Sequence, residues 1–219
     1  MLPVIIIPAY NPIATFSKLI QSIRNKTSIP IIIIDDGSQP SIIIETEYSE
    51  IILLRNNNNQ GKGYSLIKGF HYAYKMGYTH GITLDADSQH DPSLIPEFLS
   101  MDQNFSIICG KRDFNNTMPL LRRISNISTS KIISLITHTK LFDSQCGYRR
   151  YILHDICTKI FYEKGFQFET EVLLTLLRSG MTISHIDIPT IYTGERSYID
   201  NFRDTLKFIK LIIRTLGKL

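Results

Sequence analysis

The chain has 219 residues, of which 43% are hydrophobic and 20% are charged, and its formal net charge is +4. A chain of this length and composition can bury a core of its own, which excludes a disordered or fibrous protein. The charge is uneven: residues 111–150 carry eight basic and two acidic side chains, and residues 203–219 carry five basic and one acidic. Two basic segments therefore need separate explanations.

The first half of the chain alternates short apolar runs with helical patterns. Residues 14–24 and 62–76 have the hydrophobic spacing of helices. The predicted strands are Val4–Ile7, Ile31–Ile34, Ile51–Leu54, Gly81–Leu84 and Ile107–Cys109. Apolar strands separated by helices indicate an α/β fold, with a mostly parallel sheet covered by helices on both faces. Ligands of such sheets bind beyond the carboxyl ends of the strands, where the pairs Asp35-Asp36 and Asp85-Asp87 lie.

The second half is less regular. Helices are predicted over residues 120–137 and 169–178, a strand over Ile183–Ile188, and a helix over residues 201–217. This last helix has basic residues on one side and apolar residues on most of the other. It is either an anchor on an anionic membrane surface or a helix packed on the domain with a solvated basic edge.

Several classes of protein are excluded by what the sequence lacks. No apolar run approaches the ~18 residues of a membrane-spanning helix, and no basic region precedes the short apolar run at the start. Three cysteines without C-x-x-C spacing argue against a disulfide scaffold or a zinc ribbon, and indicate a reducing, cytoplasmic location. No nucleic-acid partner is expected, because the basic residues are local and not interleaved with aromatic ones.

Asp85 and Asp87 carry the sharpest local signal. Two carboxylates just beyond a buried strand repel each other when they converge, unless a cation compensates them. A hard divalent ion with oxygen ligands does so and also bridges a diphosphate. The alternative is a pair of turn or capping aspartates ahead of Pro92.

The motifs around this pair occur in a specific order. The segments VIIIPAYNP, IIIIDDGSQP, NQGKGYSLIKGF and GITLDADSQHDP are followed by CGKRDF, DSQCGYRRY, GFQFETEVL and IPTIYTGERSYIDNFRDTLKFI. Together they resemble family 2 glycosyltransferases of the GT-A fold, most of all the branch that makes polyprenyl-phosphate sugars. The resemblance covers roughly residues 2–210. It implies one domain over residues 1–200, with a nucleotide-sugar half (1–110) and an acceptor half (111–200), followed by the basic helix 201–219.

The resemblance also implies roles for particular residues. For the metal, Mg²⁺ or Mn²⁺, the implied ligands are Asp85, Asp87 and Gln89. For the UDP- or GDP-hexose donor, the implied residues are Pro8, Ala9, Tyr10, Asp35, Asp36, Lys62, Asp85, Arg122 and Arg123. For the acceptor phosphate they are Arg196 and Ser197. The sequence departs from the family pattern at Pro12, Tyr198 and Ile199, which affects donor contacts and acceptor docking but not the class.

The groups predicted to act in catalysis are Asp87, Arg112, Glu171 and Asp91. A sugar hydroxyl acceptor needs a general base such as Glu171, with Asp91 as a rival candidate. A lipid phosphate is already an anion and needs none. For Asp91 the alternative is helix capping. Arg149 and Arg150 are weaker candidates for phosphate contact, and the alternative is pairing with surface carboxylates.

The resulting hypothesis is a metal-dependent, inverting hexosyltransferase. It acts on polyprenyl phosphate at the cytoplasmic membrane face, in peripheral contact through the C-terminal helix. One alternative is a family 2 enzyme with a sugar hydroxyl acceptor, and another is a non-catalytic membrane-associated scaffold. Pairing of two tail helices in a homodimer is the alternative to membrane contact.

Overall fold

A computed structural model describes residues 1–44, 50–113, 118–191 and 201–217 of the chain. Strands and helices alternate through most of this part. The strands are β1 (Pro3–Ala9), β2 (Ile31–Asp35), β3 (Ile51–Arg55), β4 (His80–Thr83), β5 (Ile107–Arg112), β6 (Arg149–Ile152) and β7 (Ile183–Ile188). The helices are α1 (Phe16–Arg24), α2 (Lys62–Lys75), α3 (Ile95–Ser100), α4 (Leu120–Thr137), α5 (Leu153–Cys157), α6 (Phe168–Arg178) and α7 (Asn201–Leu216), with a 3₁₀ turn at Pro92–Leu94.

Within the described residues, the strands form one seven-stranded sheet in the order β3-β2-β1-β4-β6-β5-β7. Neighbouring strands are parallel except at β6, which runs antiparallel to both β4 and β5. The chain builds outward from β1 to β3 and then returns to place β4 on the other side of β1. The strand order therefore reverses between β1 and β4, which makes this position a topological switch point. Sheets of this type bind ligands there, beyond the carboxyl ends of the strands.

The isoleucine-rich strands feed two cores, because alternate side chains of a strand point to opposite faces of the sheet. Ile5 and Ile33 pack with α1 and α3 on one face. Ile6 and Ile34 pack with α2, α4, α5, α6 and α7 on the other. The expectation of an α/β fold with a mostly parallel sheet and helices on both faces is confirmed.

All predicted strands and helices are present, with boundaries that differ from the prediction by no more than three residues. The antiparallel strand β6 and the short helices α3 and α5 were not predicted. Strand β6 lies between β4 and β5, so the proposed nucleotide-sugar and acceptor halves share a single sheet. In the described ranges of the chain, no helix is long and apolar enough to cross a membrane.

The C-terminal helix α7 packs on the domain through one face only. Leu211 is 1% exposed and belongs to the α6 side of the core. Arg214 donates to Glu171 at 2.7 Å and also lies 3.1 Å from Glu163. A second apolar face remains exposed and is formed by Leu206, Ile209, Ile213 and Leu216. The packed alternative for this helix is thus observed, together with an apolar face that the packing does not cover.

Candidate active site

Asp85 lies at the switch point, just beyond the end of β4. The backbone of Leu84 still bonds to Ile6 of β1, so Asp85 follows the last paired position between these strands. Its carboxylate Oδ1 lies 2.6 Å from Lys62 Nζ, and its backbone N–H donates to His90 Nδ1 at 3.1 Å. Burial acts to raise the pKa of Asp85, but the nearby cations outweigh it and lower the pKa to about 2. The carboxylate is therefore held in its ionised form.

Lys62 connects this carboxylate to the start of helix α6. Its ammonium also lies 3.2 Å from Glu169 Oε2, at the start of α6. Burial acts to lower the pKa of Lys62, but the two carboxylates outweigh it and raise the pKa above its ordinary value. An ammonium between two carboxylates compensates both charges. Lys62 was predicted to lie near a nucleotide, and the structure places it beside Asp85.

The glycines on either side of Lys62 allow close packing between protein segments. A Cβ on Gly61 would lie 2.5 Å from the carbonyl oxygen of Lys164, and one on Gly63 would lie 2.5 Å from Cβ of Phe168. The first turn of α2 therefore fits directly against the segment that leads into α6. This contact brings Lys62 within reach of Glu169, and it accounts for the G-K-G pattern without a ligand.

Asp36 shapes the loop ahead of α2. Its Oδ1 accepts bonds from the Asn56 side chain at 2.7 Å and from the backbone of Gln60 at 3.0 Å. Its Oδ2 accepts the backbone N–H of Gly61 at 2.8 Å. Contact of Asp36 with a base or ribose stays a prediction, and these bonds show that the carboxylate also positions the 56–61 loop.

Its neighbour Asp35 is fully buried and serves the loop after β2. The carboxylate accepts the backbone N–H of Ser38 at 2.8 Å and pairs with Arg55. Hydrogen bonds from this loop and the charge of Arg55 outweigh the effect of burial and lower the pKa of Asp35. A nucleotide contact by Asp35 likewise stays a prediction.

Arg112 makes a two-pronged bond to Asp143. Nε and Nη2 donate to the two carboxylate oxygens at 2.7 and 3.0 Å, and Asp143 is fully buried. The guanidinium is close enough to Asp85 to help lower the pKa of that carboxyl. Because a bidentate pair of this kind fixes the plane of the guanidinium, Arg112 is preorganised beside Asp85. Asp85, Lys62 and Arg112 together form the charged site at the switch point, which we call the crevice.

The two glutamates at the start of α6 have different surroundings. Glu169 pairs with Lys62. Glu171 accepts the backbone N–H groups of Tyr162 and Glu163 at 2.9 and 2.8 Å, as well as the Arg214 guanidinium. The catalytic role predicted for Glu171 stays a prediction, and the observed bonds commit its carboxylate to the loop before α6 and to α7.

Arg149 and Arg150 do not form surface pairs or face an open phosphate site. Both are fully buried, and both donate to backbone carbonyl oxygens. Arg149 bonds around the start of α6, and Arg150 bonds to the end of α3. The expectation of phosphate contact or surface pairing for these two residues was wrong. Two consecutive arginines usually indicate a solvent-exposed segment, whereas here they lie on a buried strand.

The fold determines the positions of the other residues that were predicted to bind the sugar donor. Pro8 and Ala9 end strand β1 and are buried, and Tyr10, 41% exposed, follows them at the same edge. Arg122 and Arg123 lie in the first turn of α4. Contact of these residues with a nucleotide stays a prediction.

The segment that follows Asp85 contains Asp87, Gln89 and Asp91, which were all predicted to belong to the site. The backbone N–H of Gln89 donates to Asp87 Oδ1 at 3.0 Å. Asp91 Oδ1 accepts the N–H of Ser93 at 2.8 Å and caps the 3₁₀ turn, as the capping alternative predicted. A catalytic role of Asp91 stays a prediction. Arg196 and Ser197, the predicted acceptor phosphate ligands, lie outside the described residues.

The side-chain oxygen atoms of this segment suit a divalent cation that binds together with a diphosphate. Among the residues that the structure describes, no three Asp, Glu, His or Cys side chains form a metal cage. Carboxylate and amide oxygens of Asp85, Asp87 and Gln89 are nevertheless hard ligands. Mg²⁺ is commonly held by one or two carboxylates together with substrate phosphates and water. This segment therefore suits a cation that is completed by a diphosphate.

Comparisons with known proteins identify the family of the chain. The family model described as Glycosyl transferase family 2 matches residues 4–161. The chain is 27% identical to the UDP-N-acetylglucosamine–dolichyl-phosphate N-acetylglucosaminyltransferase of Methanococcus voltae, over 86% of this chain and 85% of the relative. It is 24% identical to the undecaprenyl-phosphate mannosyltransferase of Micrococcus luteus, over 84% and 81%.

A solved structure shows the same fold. Glucosyl-3-phosphoglycerate synthase from Mycobacterium tuberculosis, in complex with Mn²⁺, UDP-glucose and phosphoglyceric acid, aligns with a TM-score of 0.74. The alignment covers 98% of this chain and 79% of that chain, at 15% sequence identity. At this identity the likeness concerns the arrangement of strands and helices.

Proposed function

The chain belongs to glycosyl transferase family 2 and has the GT-A fold, and from this premise we propose that it transfers a hexose from a nucleotide diphosphate sugar to a polyprenyl phosphate, with inversion. The observation that carries the proposal is the charged crevice at the switch point. There Asp85 is ionised, paired with Lys62 and close to a preorganised Arg112. The two relatives, which are named for dolichyl-phosphate and undecaprenyl-phosphate substrates, support a lipid phosphate acceptor.

In this proposal, Asp85, Asp87 and Gln89 hold a divalent cation, which would neutralise charge on the diphosphate leaving group. The Mn²⁺ complex of the solved relative supports this requirement. Lys62 and Arg112 act on the same leaving group, because fixed cations stabilise the negative charge that develops there. Binding of the donor at Asp85 requires Lys62 to share or release that carboxylate, and Glu169 keeps the ammonium in place while it does so.

The surroundings of the two α6 glutamates favour a phosphate acceptor over a hydroxyl. A hydroxyl acceptor needs a carboxylate that is available to take its proton. Glu171 is occupied by two backbone N–H groups and Arg214, and Glu169 by Lys62. A phosphate monoester, with a second pKa of about 6, is already a nucleophilic anion at neutral pH. The proposal therefore assigns these carboxylates to positioning.

Two exposed apolar faces support contact with a membrane surface. On α7 the face formed by Leu206, Ile209, Ile213 and Leu216 has spacings of three and four residues, and the basic side chains of the helix lie beside it. On α4, Leu121 and Leu135 are 75% and 76% exposed, and Ile124 lies on the same face. Apolar residues flanked by cations are typical of helices that lie on an anionic bilayer. We place this contact at the cytoplasmic face.

The first experiment identifies the donor. UDP-glucose, UDP-N-acetylglucosamine, UDP-galactose and GDP-mannose are each added with Mn²⁺ or Mg²⁺, and the melting temperature is measured. A donor that binds the folded state raises the melting temperature by mass action. The proposal expects one donor to stabilise the protein in the presence of metal, and EDTA to remove most of that effect.

The second experiment identifies the acceptor. The stabilising donor is incubated with undecaprenyl phosphate, with dolichyl phosphate, or with a glycolipid that offers only hydroxyl groups. The proposal expects product with a polyprenyl phosphate. Product with the hydroxyl acceptor alone would establish the alternative family 2 activity, and binding of a donor without transfer to any acceptor would favour the scaffold.

A further inference from the structure

We infer that Arg149 is a positioning residue, which fixes the two segments that meet at Asp85 so that the crevice is assembled for transfer. The inference rests on the proposed function. The segments are the loop 143–147, called here the anchor loop, and the first turn of α6.

The guanidinium of Arg149 lies between these segments. Nε donates to the carbonyl oxygen of Cys146 at 2.7 Å, and Nη2 donates to that of Ser144 at 2.8 Å. Nη1 donates to the carbonyl oxygen of Glu169 at 3.0 Å. The side chain is fully buried. One planar fork thus holds two carbonyls of the anchor loop and one of α6.

The anchor loop presents two groups to the crevice. Asp143 takes the bidentate bond from Arg112. Gly147 packs against Asp85 so closely that a Cβ at this position would lie 2.7 Å from the Asp85 Oδ2 atom. A shift of the anchor loop would therefore move Arg112 and change the space available to the Asp85 carboxylate.

The α6 segment presents the third group. The carbonyl of Glu169 is held by Arg149, and its carboxylate holds Lys62. Lys62 in turn pairs with Asp85. On the α6 side, Arg149 is thus linked to Asp85 through Glu169 and Lys62.

The chemistry of the contact requires arginine. Five N–H donors in a fixed plane can serve three carbonyl oxygens that surround one point, whereas an ammonium has three donors on a flexible stem. Burial of a cation is costly, and well-packed apolar residues often replace buried charges without loss of stability. Stability alone therefore does not explain a buried cation that bonds both the anchor loop and α6, whereas positioning of these two segments does.

The neighbouring residue provides a matched control. Arg150 is also fully buried on β6, and it donates to the carbonyl oxygens of Phe98, Met101 and Asp102 at the end of α3. Because side chains alternate along a strand, Arg150 points to the opposite face of the sheet from Arg149. Its loss should cost stability without moving the anchor loop.

The test compares Arg149→Lys with Arg150→Lys. Each full-length variant is assayed with UDP-N-acetylglucosamine, UDP-glucose and GDP-mannose, with Mn²⁺ and undecaprenyl phosphate, at a temperature at which both are folded. We expect both melting temperatures to fall. We expect kcat of Arg149→Lys to fall at least tenfold, with a smaller change in the donor KM, and kcat of Arg150→Lys to stay within twofold of the wild type. Equal losses of kcat, or an unchanged kcat in Arg149→Lys, would overturn the inference.

Hydrogen exchange supplies a readout that does not need activity. In Arg149→Lys, amides of residues 143–148 and 168–171 should exchange at least tenfold faster than in the wild type, and in Arg150→Lys they should not. If Arg149→Lys does not fold, the wild type decides: exchange of the anchor loop at the rate of an unstructured peptide would contradict the inference, and slow exchange would support it. If the wild type transfers from none of the donors, the proposed function fails, and the exchange data alone judge the positioning role.

Discussion

A methyl group on Gly147 tests the crevice without changing any charged residue. Gly147 does not have a positive φ, so alanine adds no backbone strain there. Its Cβ would lie 2.7 Å from Oδ2 and 2.9 Å from Oδ1 of Asp85. The Asp85 carboxylate is a short side chain already paired with Lys62 at 2.6 Å. It cannot turn away from the new methyl group without disturbing that pair.

The size of the effect follows from the distances. Ordinary contact begins near 3.4 Å, so the nearer oxygen must move by about 0.7 Å. A misplacement of ~1 Å in an active site can reduce the rate ~100-fold. We therefore expect Gly147→Ala to lower kcat/KM by about 10- to 100-fold, which is ~1.4 to 2.7 kcal/mol of transition-state stabilisation.

The assay measures kcat/KM and the melting temperature together, with Gly69→Ala as the control. A Cβ on Gly69 would lie 2.8 Å from side-chain carbons of Ile34 and Ile6, which is a similar clash with apolar core side chains and not with Asp85. Overpacking of this kind costs ~1–3 kcal/mol of stability, and we expect the folded control to keep its activity. Full activity in Gly147→Ala, or an equal loss in Gly69→Ala, would refute the reasoning.

Three further predictions concern the charges and the exposed face of α7. Asp85 has a pKa lowered from 3.8 to about 2, so it stabilises the fold above pH ~4, and this contribution is lost as the pH falls towards 2. Lys62→Met removes a charge that lowers the pKa of Asp85, so its free energy of unfolding should fall less between pH 4 and pH 2 than that of the wild type. Urea unfolding at each pH measures this difference. Arg112→Lys should lower kcat at least tenfold, because an ammonium cannot reproduce the two-pronged bond to its buried carboxylate partner. Ile213→Ser should weaken binding to anionic vesicles with little change in melting temperature, because Ile213 is 65% exposed, whereas Leu211→Ser should lower the melting temperature.

Each of these has an outcome that would contradict it. If the free energy of unfolding of Lys62→Met falls between pH 4 and pH 2 as much as that of the wild type, Lys62 does not set the pKa of Asp85. Wild-type kcat in Arg112→Lys would remove Arg112 from the group that stabilises the leaving diphosphate. Equal vesicle binding by Ile213→Ser and the wild type would favour another role for the exposed face of α7, and sedimentation of both proteins would then test the dimer.

The sequence predicted the sheet because its signals are local. Runs such as Ile31–Ile34 are apolar and β-branched throughout, and only a strand buried on both faces accommodates them. Helix α4 was predicted with the boundaries that the structure shows. Strand β6 was missed because its first two residues are Arg149 and Arg150, and burial of arginine depends on carbonyl partners that come from distant segments.

The candidate site was predicted in its residues but not in its contacts. The D-x-D pattern located Asp85 and Asp87, because carboxylates at the end of a buried strand are a local signal. The pair of Lys62 with Glu169 joins residues 107 positions apart, so no spacing could reveal it. Sequence spacing could not reveal the role of Gly147 either, because the group that leaves no room for a side chain there is the carboxylate of Asp85, in another segment of the chain.

The most direct test of the proposed function is transfer of labelled sugar into the lipid phase by wild-type protein and by Asp87→Ala. The control is Asp187→Asn, since the Asp187 side chain is 84% exposed and pairs with Lys111 at the sheet edge. We expect label in undecaprenyl phosphate with the wild type and the control, and at least 100-fold less with Asp87→Ala or after addition of EDTA. Full transfer by Asp87→Ala in EDTA would contradict the proposed metal-assisted reaction at this crevice.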